Sequence, residues 1–237
     1  MKLILAALAV TLTAGTTLAQ AQEAASPLSF NVTLTSDYRY RGISQSRLKP
    51  ALQGGADYAF ANGFYIGTWA STIKWIKDGG GDSDLEIDVY GGYKTEISPG
   101  LTLDVGLLQY IYPSHKLATS PDTLEVYGAV SFGPVTAKYS HSTSNLFGFA
   151  DSKRSGYFDV SASFDIGDGF TLVPHVGHQT VKRSSLYSYT DYSVGVTKDY
   201  AGFTFGGAIV GTDTKEYVGA GKNLGKTALV VSIKKVF

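Results

Sequence analysis

The stretch Leu85-Glu-Ile-Asp-Val-Tyr-Gly-Gly-Tyr93 decides the fold. Leu85, Ile87, Val89 and Tyr93 share one parity, and Glu86, Asp88 and Tyr90 share the other. Successive side chains of a strand point to opposite faces, so this segment has one apolar side and one polar side. The same alternation recurs at 30–36, 52–60, 101–107, 124–130, 135–142, 158–164, 170–176, 192–197, 203–209 and 229–237, and more weakly at 64–71. With 85–93 these make twelve expected strands.

The connections alternate in length. Short turns fall at Ala61-Asn-Gly63, Ser98-Pro-Gly100, Phe132-Gly-Pro134, Gly167-Asp-Gly169 and Tyr200-Ala-Gly202. Each carries a glycine, the residue that supplies the positive φ of tight hairpins. Longer polar loops lie between them, at 39–50, 72–84, 113–123, 143–156, 179–189 and 211–226. The turn glycines recur about every 35 residues, a hairpin repeat. Short turns at one rim, long loops at the other and an even strand count are the layout of an outer-membrane barrel, with both termini on the periplasmic side.

An outward face chosen from apolar residues alone leaves the mid-strand charges Asp57, Glu86, Asp88, Asp104, Glu125, Lys138, Asp159 and Asp191 facing inward. A cation on the lipid face at the midplane costs about 2–4 kcal/mol, so this segregation has a physical cause. Two aromatic girdles are expected on the outside. Tyr38, Tyr40, Tyr110, Tyr112, Tyr139 and Tyr157 would form the one at the long-loop ends, and Phe60, Phe64, Tyr93, Phe164, Phe170 and Phe203 the one at the short turns. Lys235 is an outward charge near the rim, where its stem can reach headgroups. Pro174 lacks a ladder donor and suggests a bulge.

Residues 1–21 read as a secretory signal peptide. Met1-Lys2 is positive, the segment from Leu3 to Leu12 is apolar but too short to span a bilayer, and Ala19-Gln-Ala21 is a small-x-small cleavage site. Cleavage after Ala21 is the first expectation and after Ala19 the second, leaving 22–237 as the barrel. No later run is apolar enough for a helical span. The chain has 20 basic and 20 acidic residues, so nothing marks a basic face for nucleic acid. Cysteine is absent. That excludes disulfides, thiolate metal sites, a cysteine nucleophile and a lipid anchor on Cys.

Ser36-Asp-Tyr-Arg-Tyr-Arg-Gly-Ile-Ser-Gln-Ser46, Pro50-Ala-Leu-Gln-Gly-Gly55 and Gly63-Phe-Tyr-Ile-Gly-Thr-Trp-Ala-Ser71 resemble the TorF-type porins, also called the Gcw_chp family. Glu86-Ile-Asp-Val-Tyr-Gly-Gly-Tyr93 and Leu124-Glu-Val-Tyr-Gly128 look like later hairpins of that family. The resemblance covers the mature chain and is most specific in its first third. It implies an outer-membrane porin, and it carries over neither a substrate nor a catalytic residue.

A barrel of this size has a narrow lumen. Asp88, Glu125, Asp159 and Asp191 lie at similar distances from the next turn on alternate strands, and at equal height they would form an acidic ring that favours cations. Asp37, Arg39 and Arg41 share the inward parity of the first strand, and the arginines are expected to face the acids. Two lumen readings stand side by side: a conducting, cation-preferring pore, and a salt-bridged plug with the loops as the working surface. The expected partners are outer-membrane lipids, the barrel-assembly machinery reading the terminal aromatic Phe237, and small hydrophilic solutes or ions. Passive diffusion needs no cofactor and no enzyme chemistry.

Three rival constellations are weak. Tyr139-Ser-His-Ser-Thr-Ser-Asn145 is similar to the His-x-Ser-Asn run of outer-membrane phospholipase A, but parity pairs His141 with Thr143 and turns Ser142 and Ser144 away. Asp78-Gly-Gly-Gly-Asp-Ser-Asp84 is acidic and flexible without the fixed spacing of a calcium loop. His175 and His178 fall on opposite faces of one strand.

Overall fold

Segments with one apolar face, joined in sequence by tight glycine turns, can bury every backbone donor only by closing on themselves. The computed structural model, which describes residues 26–237, shows that closure. The strands are β1 (Leu28–Thr35), β2 (Ala51–Ala59), β3 (Phe64–Thr72), β4 (Leu85–Ser98), β5 (Leu101–Ile111) and β6 (Thr123–Phe132). They continue as β7 (Val135–Ser142), β8 (Gly156–Ala162, resuming at Phe164–Gly167), β9 (Phe170–Thr180), β10 (Tyr189–Tyr200), β11 (Phe203–Thr212) and β12 (Ala228–Val236). Each pairs antiparallel with its neighbours in sequence, and β1 pairs with β12 from Asn31 opposite Val236 to Thr35 opposite Ser232. The result is a closed 12-strand antiparallel barrel. The expected signal-peptide segment and its two expected cleavage positions lie outside the described residues.

The outward face is an apolar belt. Phe30, Val32 and Leu34 on β1 are exposed, as are Val105 and Leu107 on β5, Val194 on β10, Ile209 on β11 and Leu229 and Val231 on β12. So much exposed apolar surface calls for an apolar solvent. By strand parity no acidic residue among the described residues lies on this face, and its only charges among them are Lys198 and Lys235 near the short turns. Each lies over a ring: Lys198 Nζ is 4.0 Å from the Phe170 centroid and Lys235 Nζ 4.8 Å from that of Phe203. No helix among the described residues is long and apolar enough to cross a membrane, a test that does not bear on strands.

The girdle at the short turns is present. Phe60, Phe64, Phe164, Phe170 and Phe203 are exposed, and half-buried Tyr93 packs on Phe64 at 4.9 Å. The expected girdle at the long-loop ends is not. Tyr139 faces outward, but Tyr38, Tyr40, Tyr110, Tyr112 and Tyr157 are all buried inside. Tyr110 and Tyr157 have the inward parity of their own strands, opposite to Leu107 and Phe158. Tyr38 and Tyr40 leave the strand altogether, because β1 ends at Thr35 and the chain turns into the barrel.

Pro174 produces an interruption rather than a bulge. β8 breaks beside it, yet Ser161 pairs with His175 and Phe164 with Leu172, so the register is unbroken across the gap. A missing N–H removes ladder bonds without inserting a residue. The register shift of this pair lies further on, between Asp165 and Gly167 at the turn.

Candidate functional site

The first long loop, L1 (36–50), builds the site. Two short segments, Arg39–Tyr40 and Ile43–Ser44, pair with each other and are joined by Arg41 at φ +45° and Gly42 at φ +78°. Two central residues with positive φ make the tight turn whose twist matches paired strands. The tip of this arm touches the far wall: a Cβ on Gly42 would lie 2.6 Å from Thr212 Cγ2 and 2.7 Å from Asp191 Cβ, so only glycine fits. On the opposite side Tyr38 packs edge-on against Trp69 at 5.3 Å and donates to Glu86 at 2.7 Å. L1 thus crosses the lumen from β3 and β4 to β10 and β11.

Arg41 and Arg39 have separate roles. Arg41 bonds Glu125 at 2.7 Å and Gln179 Oε1 at 2.6 Å, and its guanidinium lies 4.2 Å from the Tyr157 ring centroid. Burial is the largest single influence and opposes its charge, but Glu125, Tyr40 and Tyr110 together outweigh burial and raise its pKa above the ordinary guanidinium value. Arg39 does not face the acid set. It pairs with Asp37 at 2.5 Å and donates to the carbonyls of Gly42, Leu224 and Lys226, and Asp37 also accepts from Ser44 at 2.6 Å and Ser46 at 3.1 Å. The Asp37–Arg39 pair therefore holds the arm in shape and ties it to the last long loop, L6 (213–227).

The barrel acids all face the interior, and most are held by a phenol. Tyr90 donates to Asp57 at 2.5 Å, Tyr65 to Asp104 at 2.6 Å, and Tyr157 to Asp191 at 2.7 and 2.9 Å. Tyr65 also touches the Tyr127 hydroxyl, and Lys138 Nζ lies 4.2 Å from the Tyr127 centroid. Glycine makes room for such tyrosines: a Cβ on Gly177 would lie 2.8 Å from Tyr157 Cε2. Asp159 stands opposite Lys138 on the neighbouring strand. Asp88 differs, because its Oδ1 is buried with no hydrogen-bond partner among the described residues. Glu86 and Glu125 stand near enough to repel it.

The expected acidic ring resolves into two pairs. Asp159 and Asp191 both stand opposite Gly177 on β9, while Asp88 and Glu125 stand opposite Tyr110 and Leu108 on β5. Arg41 lies between the pairs. His175, which sequence reading set aside, joins the first pair at 3.8 Å from each carboxylate. Gln179, Lys94 and Lys234 also face inward and were not singled out. The same parity argument, applied to every polar residue rather than to the mid-strand charges, would have found them.

The rival constellations disperse. Ser142 and Ser144 donate to the carbonyls of Ser144 and Asn145, Thr143 donates to that of Leu124, and His141 meets the Tyr139 hydroxyl at 3.3 Å. In the second long loop, L2 (73–84), each carboxylate has its own cation: Asp78 has Arg47, Asp82 has Lys116 and Asp84 has Lys77. Hydrogen bonds from those lysines hold Asp82 and Asp84 below the usual carboxylate pKa. His175 and His178 do lie on opposite faces, with His178 outside beside Thr190.

Residues 20–237 match the family described as "Bacterial protein of unknown function (Gcw_chp)", and the chain belongs to that family. Among solved structures, the KdgM porin is similar over 89% of this chain and 98% of its own, with a TM-score of 0.57 at 8% identity. KdgM in complex with disordered oligogalacturonate gives a TM-score of 0.55 at 7% identity. The NanC porin gives 0.55 at 13% identity, over 88% of this chain and 98% of that one. At such identities the likeness shows the barrel fold. No curated protein matches the chain.

Proposed function

We propose that this protein is an outer-membrane channel of the TorF porin type, exported through a signal peptide cleaved after Ala21, which passes small hydrophilic solutes or ions by diffusion and prefers cations. One observation carries the reading: a closed barrel with an apolar exterior whose interior carboxylates outnumber its cations. Asp57, Glu86, Asp88, Asp104, Glu125, Asp159 and Asp191 face Arg41, Lys94, Lys138 and Lys234. Ring-like sets of carboxylates favour cations in a narrow lumen. Asp88 Oδ1, buried under L1 and unpartnered among the described residues, is the acid oxygen left for an ion admitted past L1. Lipids would meet the belt, and the assembly machinery would read Phe237. The oligogalacturonate of the KdgM complex is a polyanion, and this lumen would repel one.

L1 supports a second reading. An arm crossing the lumen and locked by Arg41 onto Glu125 is how a plugged barrel would be built, and the loops would then be the working surface. Single-channel recording of the refolded protein in a planar bilayer separates the two. The pore reading expects discrete conductance steps. Silence from protein shown to be folded and inserted would overturn it in favour of the plug.

A further inference from the structure

The long loops enclose a cavity of about 320 Å³ above L1, at the lower end of the range of roughly 300–1,000 Å³ typical of small-molecule sites. Its walls are aromatic and braced by edge-on contacts. Trp75 meets Tyr112 at 5.1 Å, Tyr40 meets Phe147 at 5.3 Å, and Tyr187 meets Tyr217 at 5.7 Å.

The polar groups around it are largely engaged elsewhere. Gln179 accepts from Arg41 and donates to the carbonyls of Gly156 and Thr180. The Gln45 amide donates to Ile43 O, and the Ser44 hydroxyl donates to Asp37. The Tyr40 hydroxyl bonds that of Tyr110, and Tyr217 donates to Tyr187 O. Trp75 Nε1 has no partner among the described residues but is shut off from solvent. What faces the cavity is therefore mostly ring surface. The only charged side chains lining it are acidic, Asp78 and Glu216. Asp78 is held by Arg47, while Glu216 has no side-chain partner among the described residues.

Ring faces attract cations through their quadrupole, and aromatic cages are the established recognition device for quaternary ammonium groups. A sugar would need many free donors and acceptors, whereas the lining hydroxyls without a partner among the described residues are those of Tyr187 and Tyr189, two groups beside a broad ring surface, and an anion would meet Glu216 with no cation to balance it. We infer that this cavity binds substituted ammonium ions, organic cations with an apolar body, at the outer mouth of the barrel. The inference deepens the cation-preferring reading and rests on it for the onward passage of the ion, but binding itself does not require conduction.

The test uses the refolded full chain with Trp69→Phe, which leaves Trp75 as the only tryptophan. Tetramethylammonium chloride should give a saturable change in emission, and saturation-transfer NMR should show its methyl protons in contact with the protein. Potassium chloride at equal ionic strength, tert-butanol, galactose and galacturonate should not. Tyr217→Leu should weaken binding by roughly fivefold or more, and Glu216→Gln by a smaller factor. Tyr217→Phe, which keeps the ring, should bind normally, so a loss in that variant too would mean that the hydroxyl, not the ring face, is recognised and would overturn the cage. No saturable signal by either method, an equal response to tert-butanol, or preferential binding of galactose or galacturonate would also overturn it. Binding by a protein that never conducts would retain this site and sink the channel, and conduction without binding would do the reverse.

Discussion

Toward the long loops, Glu86, Asp88, Glu125 and Asp191 are 1–2% exposed, sealed under L1 and its tyrosines. Toward the short turns of the same barrel, Asp57, Lys94, Asp104 and Lys138 are only half-buried. The strands of both halves follow one alternation, although those inward charges are all acidic in the upper half and of both signs in the lower. The difference in exposure comes from a single loop. L1 turns the upper half into a packed interior in which most polar groups have a fixed partner and Asp88 Oδ1 has none among the described residues, while the lower half stays open to water. Resistance to flow should therefore reside in L1 and not in the barrel wall.

Replacing 38–46 with a short glycine-serine link tests that contrast most severely. The closed barrel should still form, and single-channel conductance should rise several-fold. Unchanged conductance would place the constriction in the lower half. Next comes the loss of a cation from each half. Arg41→Gln leaves Glu125 buried and unpaired, which should cost about 3–5 kcal/mol of L1 seating, read as earlier thermal release of the loop by hydrogen exchange. Lys138→Gln removes a half-buried cation and should cost at most about 1 kcal/mol by the same readout. Equal effects would erase the distinction between the halves. Selectivity should follow the same order: Asp88→Asn should reduce the cation-to-anion permeability ratio by a few fold, and Asp57→Asn, in the wetter half, by less. Smallest of all is Lys235→Leu on the outer rim. It should change folding stability by no more than about 1 kcal/mol in bilayer refolding titrations, since charges near the interface cost little.

The strands were legible because alternation is local. Leu85 to Tyr93 declares its faces without reference to any other segment, and the turn glycines mark where each strand stops. The inward position of the barrel acids follows from the same parity. The upper tyrosines were misplaced for two different physical reasons. Tyr110 and Tyr157 were set in an outer girdle against their own strand parity, although Leu107 and Phe158 already fix the outward side. Tyr38 and Tyr40 were given a strand parity beyond Thr35, where no strand continues. The tight turn at Tyr40-Arg41-Gly42-Ile43 was hidden in the expected loop 39–50, because its Arg-Gly centre lacks the Asn or Asp that marks a two-residue hairpin. Its destination was hidden too, because the contacts of Gly42 with Asp191 and Thr212 join residues distant in sequence. The division of labour between the arginines was hidden likewise: Arg39 answers to Asp37 and the carbonyls of L6, Arg41 to Glu125, and spacing alone makes them look equivalent.

The acidic lumen is tested most directly by the zero-current potential under a salt gradient, comparing the native protein with Asp88→Asn, Glu125→Gln, Asp159→Asn and Asp191→Asn combined, each first shown to be folded and inserted. A cation-selective potential in the native protein that collapses toward zero in the combined variant is the predicted result. An unchanged potential, or anion selectivity in the native protein, would contradict it.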